Sequence, residues 1–299
     1  MTRKKANRFA SSRSFSPRLW LFRLIFFVGL LILAFPFVSQ WLYYQASHAQ
    51  INTFERAAAT IDRSNIEHRL ALARTYNAAL SGTNTDANQS AITDPYSEEQ
   101  KKAGQAEYAR MLEVKEQIGH VMIPRMNQDI PIYAGSGEEN LQRGVGHLEG
   151  TSLPVGGEST HAVLTAHRGL PTARLFTDLD KVKKGDRFYI EHIGGKMAYR
   201  VDQIKIITPD ELKELYMVSG QDYVTLLTCT PYMINSHRLL VRGHRVPYEK
   251  KVEQKDIQIY QRRQYLIYII SAILVCIVML VLLWCKRRRC RGNKRCEKT

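Results

Sequence analysis

Two long apolar runs bracket a region of short periodic segments. Leu19 to Val38 is apolar apart from Arg23, and Leu266 to Cys285 is interrupted only by small or weakly polar residues such as Ser271. Each is long enough to cross a bilayer as a helix. After the first run, Ile51, Phe54, Ala58 and Ile61 recur at helical spacing. Ile66, Leu70, Ala73, Asn77 and Leu80 continue the pattern beyond a break at Asp62–Asn65. Residues 45–80 are therefore expected as helix packed on the domain that follows. Ser81 to Thr93 is rich in Ser, Thr, Asn and Gly and reads as a loop. Ser97 to about Gln117 is expected as a second helix.

From Gly119 the period shortens. His120–Ile123, Ile130–Tyr133, Leu141–His147, His161–Thr165, Phe188–His192, Met197–Ile207, Tyr223–Cys229 and Arg238–Val246 all read as strands, with a short helix opening at Thr208-Pro209-Asp210-Glu211. About eight strands at this spacing predict a small β-barrel. Glu249 to Arg263 is polar and reads as a linker to the second apolar run. The resulting division is a basic tail (1–18), an anchor (19–44), a helical extension (45–118), a barrel (119–248), a linker (249–265), a second span (266–285) and a second basic tail (286–299).

Charge sharpens this division. The 299 residues carry a formal net charge of +15. Residues 1–18 hold six Lys/Arg and no acid, and residues 286–299 hold eight Lys/Arg and one acid, so the tails leave only +2 for everything between. The middle is not a basic domain, which argues against a nucleic-acid partner. Basic flanks at both outer ends place both termini in the cytoplasm by the positive-inside rule, with the middle outside the cell. A signal peptide cleaved after Ser47-His48-Ala49 is the rival reading, but the first apolar run exceeds the usual ~7–15-residue signal core.

Cysteine positions then become informative. Of five, Cys276 and Cys285 fall in the second span and Cys290 and Cys296 in the tail, so only Cys229 lies in the exported region. A lone exported thiol has no disulfide partner in its own domain, and reactivity explains it better than a structural bridge. Cys229 ends one predicted strand, and Arg238 opens the next after a loop that begins Thr230-Pro231. The pattern puts a thiol and a guanidinium at one end of one sheet. A buried core Cys is the bland alternative.

The run Thr225-Leu226-Leu227-Thr228-Cys229, with Arg238 downstream, resembles the sortases, Gram-positive transpeptidases with a Thr-Leu-x-Thr-Cys strand. Cys-Thr-Pro-Tyr followed by Asn-Ser-x-Arg-Leu is similar to their class C, pilin-polymerising branch. The resemblance implies an eight-stranded barrel, with Cys229 as nucleophile and Arg238 as oxyanion or substrate clamp. It implies His167, in Leu164-Thr165-Ala166-His167-Arg168-Gly169, as acid/base. It also implies a lid at Asp94-Pro95-Tyr96, the Asp pairing with Arg238 and the ring covering Cys229. Tyr96 stands where Trp or Phe is more usual, and its hydroxyl requires a polar partner. The alternative for this tripeptide is ordinary helix-start chemistry, with Asp as cap and Pro in the first turn.

These residue types suit amide exchange. A thiolate attacks the carbonyl, an imidazolium protonates the leaving amine, and a guanidinium offers donors to the oxyanion. His147 is expected to be structural, and His237 and His244 receive no role. No Cys-x-x-Cys, His-Glu-x-x-His or Gly-rich phosphate motif occurs, so no metal or cofactor is expected. The partners implied by the resemblance are pilin subunits bearing a C-terminal sorting signal and an acceptor lysine. The membrane is the other expected partner, and no obligate oligomer is expected.

Overall fold

The structure, a computed structural model, describes residues 17–82, 92, 94, 96 and 111–296. Eight strands close a barrel: β1 (Gln117–Ile123), β2 (Gln128–Ala134), β3 (Val145–His147), β4 (Thr160–Thr165), β5 (Arg187–His192), β6 (Gly195–Ile207), β7 (Asp222–Thr230) and β8 (His237–Val246). Around the barrel the order is β1-β2-β3-β4-β7-β8-β6-β5, and β5 pairs back onto β1. Neighbours run antiparallel except β2–β3 and β4–β7. This is the expected mainly β architecture with short helices.

Period-2 alternation sorts side chains to two faces. Ala162 and Leu164 of β4, Val224 and Leu226 of β7, and Leu239 and Val241 of β8 join the barrel core with Val121, Ile132, Phe188 and Tyr199. Their alternates, Val163, Leu227 and Leu240, form a second cluster with Leu148, Ile207, Leu215 and Ile92, against which Tyr96 packs. The outer face of β4-β7-β8 is thus apolar and covered, and the cover includes residues of the segment before the barrel.

Helix α1 (Pro17–Ala58) is continuous, so no break separates the expected anchor from the extension. Its first part is apolar and exposed, and Trp20–Ala58 is long and apolar enough to cross a membrane. Its last turns dock on the barrel. Tyr43 donates to the Arg143 carbonyl (2.9 Å), and Ile51 and Phe54 are buried. Helix α2 (Arg63–Gly82) buries Leu70 and Ala73, and Asn77 exchanges two hydrogen bonds with the Leu153 backbone.

Three expectations need correction. Leu141–His147 is not one strand: helix α3 (Glu138–Arg143) fills its first half, pinned by Asn140 Nδ2 on the Ala134 carbonyl at 2.6 Å. The second expected helix does not reach Gln117. Lys115 and Glu116 take positive φ, 52° and 70°, which ends any helix before β1, while residues 97–110 lie outside the described set. The expected linker is helical, forming the first turns of α4 (Lys250–Cys296). Its polar residues hold the barrel: Glu253 meets Lys196 at 2.9 Å and Asp256 accepts from Tyr189 at 2.7 Å. The second expected span falls inside α4, where part of the side chains lie outside the described set.

Candidate active site

Strand register assembles the site. In the parallel pair β4–β7, each residue lies beside the one 62 positions later, from Thr160↔Asp222 to Thr165↔Leu227. Carried two residues further, this offset sets His167 beside Cys229. The Thr228 hydroxyl donates to the Ala166 carbonyl at 2.7 Å, and Arg168 Nη1 donates to Thr230 Oγ1 at 2.9 Å, so the two chains stay in step past the ladder's end. In the antiparallel pair β7–β8, Cys229 faces Arg238 directly. By alternation His167, Cys229 and Arg238 share the outer face with Val163, Leu227 and Leu240. Neighbouring strands lie ~4.8 Å apart, so three adjacent strands bring the three side chains together.

The segment before the barrel roofs this face. Arg238 Nε donates to Asp94 Oδ1 at 2.6 Å and Nη2 donates to Asp94 Oδ2, a bidentate pair. Arg238 Nη1 donates to the Asn235 and His237 carbonyls at 2.9 and 3.1 Å. The guanidinium carbon lies 5.0 Å from the centre of the Tyr96 ring, within cation–π range. Tyr96 donates to the Ala166 carbonyl at 2.6 Å and accepts from Thr165 Oγ1 at 3.1 Å, which supplies the polar partner its hydroxyl requires. Its ring also lies 5.7 Å from the His167 ring. Pro95 lies outside the described residues.

The roof dries the site. Cys229 is buried and Arg238 is only 5% exposed. Burial works against charge on Arg238, but the bond to Asp94 and the nearby Cys229 raise its pKa above the ordinary guanidinium value. Burial, reinforced by Cys229, pushes the Tyr96 phenol well above its usual value, so it serves as a neutral donor. The site can therefore hold a fixed cation beside a thiol, with an imidazole on the other side.

One neighbour escaped the sequence. Glu138 Oε1 of α3 lies 3.2 Å from His167 Nε2, and nothing in the spacing of positions 138 and 167 marks it. His147 is fully buried, with Nε2 donating to the Ser152 carbonyl at 2.8 Å, and burial lowers its pKa. It is structural, as expected. His237 is exposed beside Ser236 Oγ. Among the described residues, the one group of His and carboxylates close enough to share a cation lies elsewhere, at Glu55, His120 and Glu191.

Residues 121–246 match the family model for the sortase domain. The sortase C1 of GBS pilus island 1 is 72% identical, covers 68% of this chain and 100% of its own, and superposes with a TM-score of 0.65. The structure of a lid mutant of Streptococcus agalactiae sortase C1 is 68% identical over 67% of this chain and 99% of its own, with a TM-score of 0.60. Sortase A of Bacillus anthracis is 32% identical over 132 residues. That match takes in 44% of this chain and 61% of the relative, so the chain spans less than two thirds of that protein's length.

Proposed function

Since this chain belongs to the sortase family, we propose that it is a membrane-anchored cysteine transpeptidase of the class C, pilin-polymerising type. The observation that carries this reading is the register of three adjacent strands, which sets His167, Cys229 and Arg238 side by side beneath Asp94 and Tyr96. Cys229 Sγ, as thiolate, adds to the threonyl carbonyl of a Leu-Pro-x-Thr-Gly-like signal. Arg238 donates to the oxyanion that forms. The C–N bond to glycine then breaks, and His167 passes a proton to the departing amine. The product is a thioacyl enzyme. A pilin lysine amine attacks that thioester, gives its proton to His167 and expels the Cys229 thiolate, leaving an isopeptide bond.

Residues Asp94, Pro95 and Tyr96 act as the lid. Asp94 occupies the guanidinium that a substrate oxygen needs, so the described state is closed, and substrate and lid compete for one groove. A lid mutant of Streptococcus agalactiae sortase C1 is 68% identical to this chain, which supports looking for a lid here, and the bonds of Asp94 and Tyr96 to the site support this segment as that lid. The apolar α1 supports an N-terminal anchor. The basic tails and the apolar residues of α4 support a second span with both termini cytoplasmic. Transfer to a cell-wall precursor is the rival outcome for the same thioacyl enzyme.

A thiol-trapping sorting peptide tests the reaction. The full chain should form one covalent adduct, mapped to Cys229, and should link a pilin through a lysine when that pilin is supplied. No adduct at Cys229 with the lid segment opened by Asp94→Ala would overturn the enzymatic reading. An adduct that resolves only onto a cell-wall precursor would overturn the pilin assignment.

A further inference from the structure

A second polar cluster lies far from Cys229 in the strand order, where α1 meets β1 and β5. Its centre is His120, whose side chain is 2% exposed. His120 sits opposite Glu191 in the β1–β5 ladder. The strands approach closely here because of Gly119: a Cβ at that position would come within 2.3 Å of the Glu191 carbonyl oxygen. Nδ1 of His120 bonds Asp129 Oδ1 of β2 at 2.6 Å. Among the described residues its buried Nε2 has no well-aligned hydrogen-bond acceptor, and it faces two carboxylates, Glu191 Oε2 at 3.3 Å and Glu55 Oε1 of α1 at 3.7 Å. All three ligand-type atoms lie within 4.8 Å of one another.

We propose that Glu55, His120 and Glu191 form a zinc-type divalent cation site that clips α1 to the barrel. Tetrahedral bonds of ~2.0–2.1 Å to nitrogen and oxygen require ligand atoms roughly 3.3–3.5 Å apart; the 3.3 Å separation of Nε2 from Glu191 meets this, and the 3.7 Å separation from Glu55, on a half-exposed side chain, needs a small rotation to close. Asp129 on Nδ1 supplies the outer carboxylate that fixes the tautomer of a ligating imidazole, leaving the Nε2 lone pair for the metal. One nitrogen and two carboxylates favour a zinc-like ion over calcium or magnesium, which take six or more oxygens. Charge points the same way. Among the described residues, the four carboxylates Glu55, Asp129, Glu191 and Glu253 gather around His120 and a single lysine, Lys196, which touches Glu191 at 3.0 Å and Glu253 at 2.9 Å. Glu55 is 47% exposed and Glu191 27%, so the ion has a route in and room for a water as fourth ligand. Short-spacing metal motifs miss this site because its residues come from three distant parts of the chain.

The full chain in detergent, stripped with chelator, is titrated with Zn²⁺ and separately with Co²⁺. The expected result is one saturable equivalent whose cobalt spectrum has tetrahedral visible bands and no sulfur charge-transfer band, which excludes Cys229 and the other thiols. Glu55→Gln and Glu191→Gln should each weaken that equivalent tenfold or more, while Glu158→Gln leaves it unchanged. Absence of a saturable equivalent in the wild-type chain overturns the proposal whether or not the variants fold. So does a site whose affinity is the same in both Gln variants. In either case the cluster is a histidine ion pair and nothing more.

Discussion

Replacing Asp94 by Ala, alone and together with Tyr96→Ala, should expose the Cys229 thiol. The Asp94–Arg238 pair is not a surface salt bridge, since the two side chains are only 15% and 6% exposed. Breaking a buried pair by removing one partner typically costs about 3–5 kcal/mol. Arg238 keeps the Asn235 and His237 carbonyls as acceptors, so the lower end, about 3 kcal/mol, applies. If that bond exists only in the closed state, its loss multiplies the open population by roughly 10², at 1.36 kcal/mol per factor of ten. Tyr96→Phe deletes the 2.6 Å bond to Ala166 and should cost about 1 kcal/mol, roughly fivefold in opening. The double Ala variant will not show the sum, because the two side chains touch Arg238 together. Its rate should instead plateau at that of a free thiol. The assay is alkylation by a small thiol reagent well below the melting transition, followed on the Cys229 peptide so that the other four cysteines do not interfere. Were Asp94 only a helix cap, its loss would lower stability by about 1 kcal/mol and leave alkylation unchanged. Equal rates in wild type and the double variant would remove the lid from the mechanism.

Three further outcomes are expected. Cys229→Ala should abolish adduct and polymer with the fold retained by circular dichroism, while His167→Ala and Arg238→Ala should each lower turnover by roughly 10²–10³-fold; His147→Ala should mainly lower the melting temperature, and a catalytic loss equal to that of His167→Ala with intact folding would reassign the acid/base. Reporters fused after Thr299 should read as cytoplasmic and protease added to spheroplasts should cut between residues 45 and 263; a protected middle would refute the two-anchor topology. Burial holds His161 neutral, with a pKa of about 4, donating from Nδ1 to the Tyr216 carbonyl at 3.0 Å and bonded through Nε2 to Thr225 Oγ1 at 2.7 Å. The unfolded chain protonates near pH 6.5, so His161 contributes stability that is present above about pH 6.5 and is lost as pH falls toward 4, at up to ~1.4 kcal/mol per unit; thermal unfolding of His161→Gln should show a shallower acid slope, and an unchanged slope would refute the assignment.

What the sequence discloses here depends on whether a contact is written into local alternation. β7 and β8 are legible because Val224, Leu226, Leu239 and Val241 alternate with residues of a second buried face, and their antiparallel pairing follows from the short loop between them. The Cys229–Arg238 juxtaposition comes with that pairing. Leu141–His147 misleads because its first half is set by Asn140 bonding back to the Ala134 carbonyl, a contact that short-range periodicity does not register. The turns of α4 from Lys250 look like a linker because their polar residues are satisfied by the barrel: Glu253 by Lys196, and Tyr260 by Asp186 at 3.1 Å. Glu138 beside His167 and Glu55 beside His120 are invisible for the same reason, since each joins elements whose packing no single segment encodes.

The parallel β4–β7 ladder separates the spacing of His167 and Cys229 from the length of chain that joins them. Hydrogen bonds between two strands set that distance, so residues added to the turns before β5 or before β7 are absorbed at the rim and leave it unchanged. A single residue inserted within Asp222–Thr228 acts differently: it turns Cys229 from the roofed face to the barrel interior. Tolerance to length change in this molecule should therefore be all-or-none by location. An insertion scan across positions 168–230 would read as long permissive stretches broken by sharp intolerant windows at the strands.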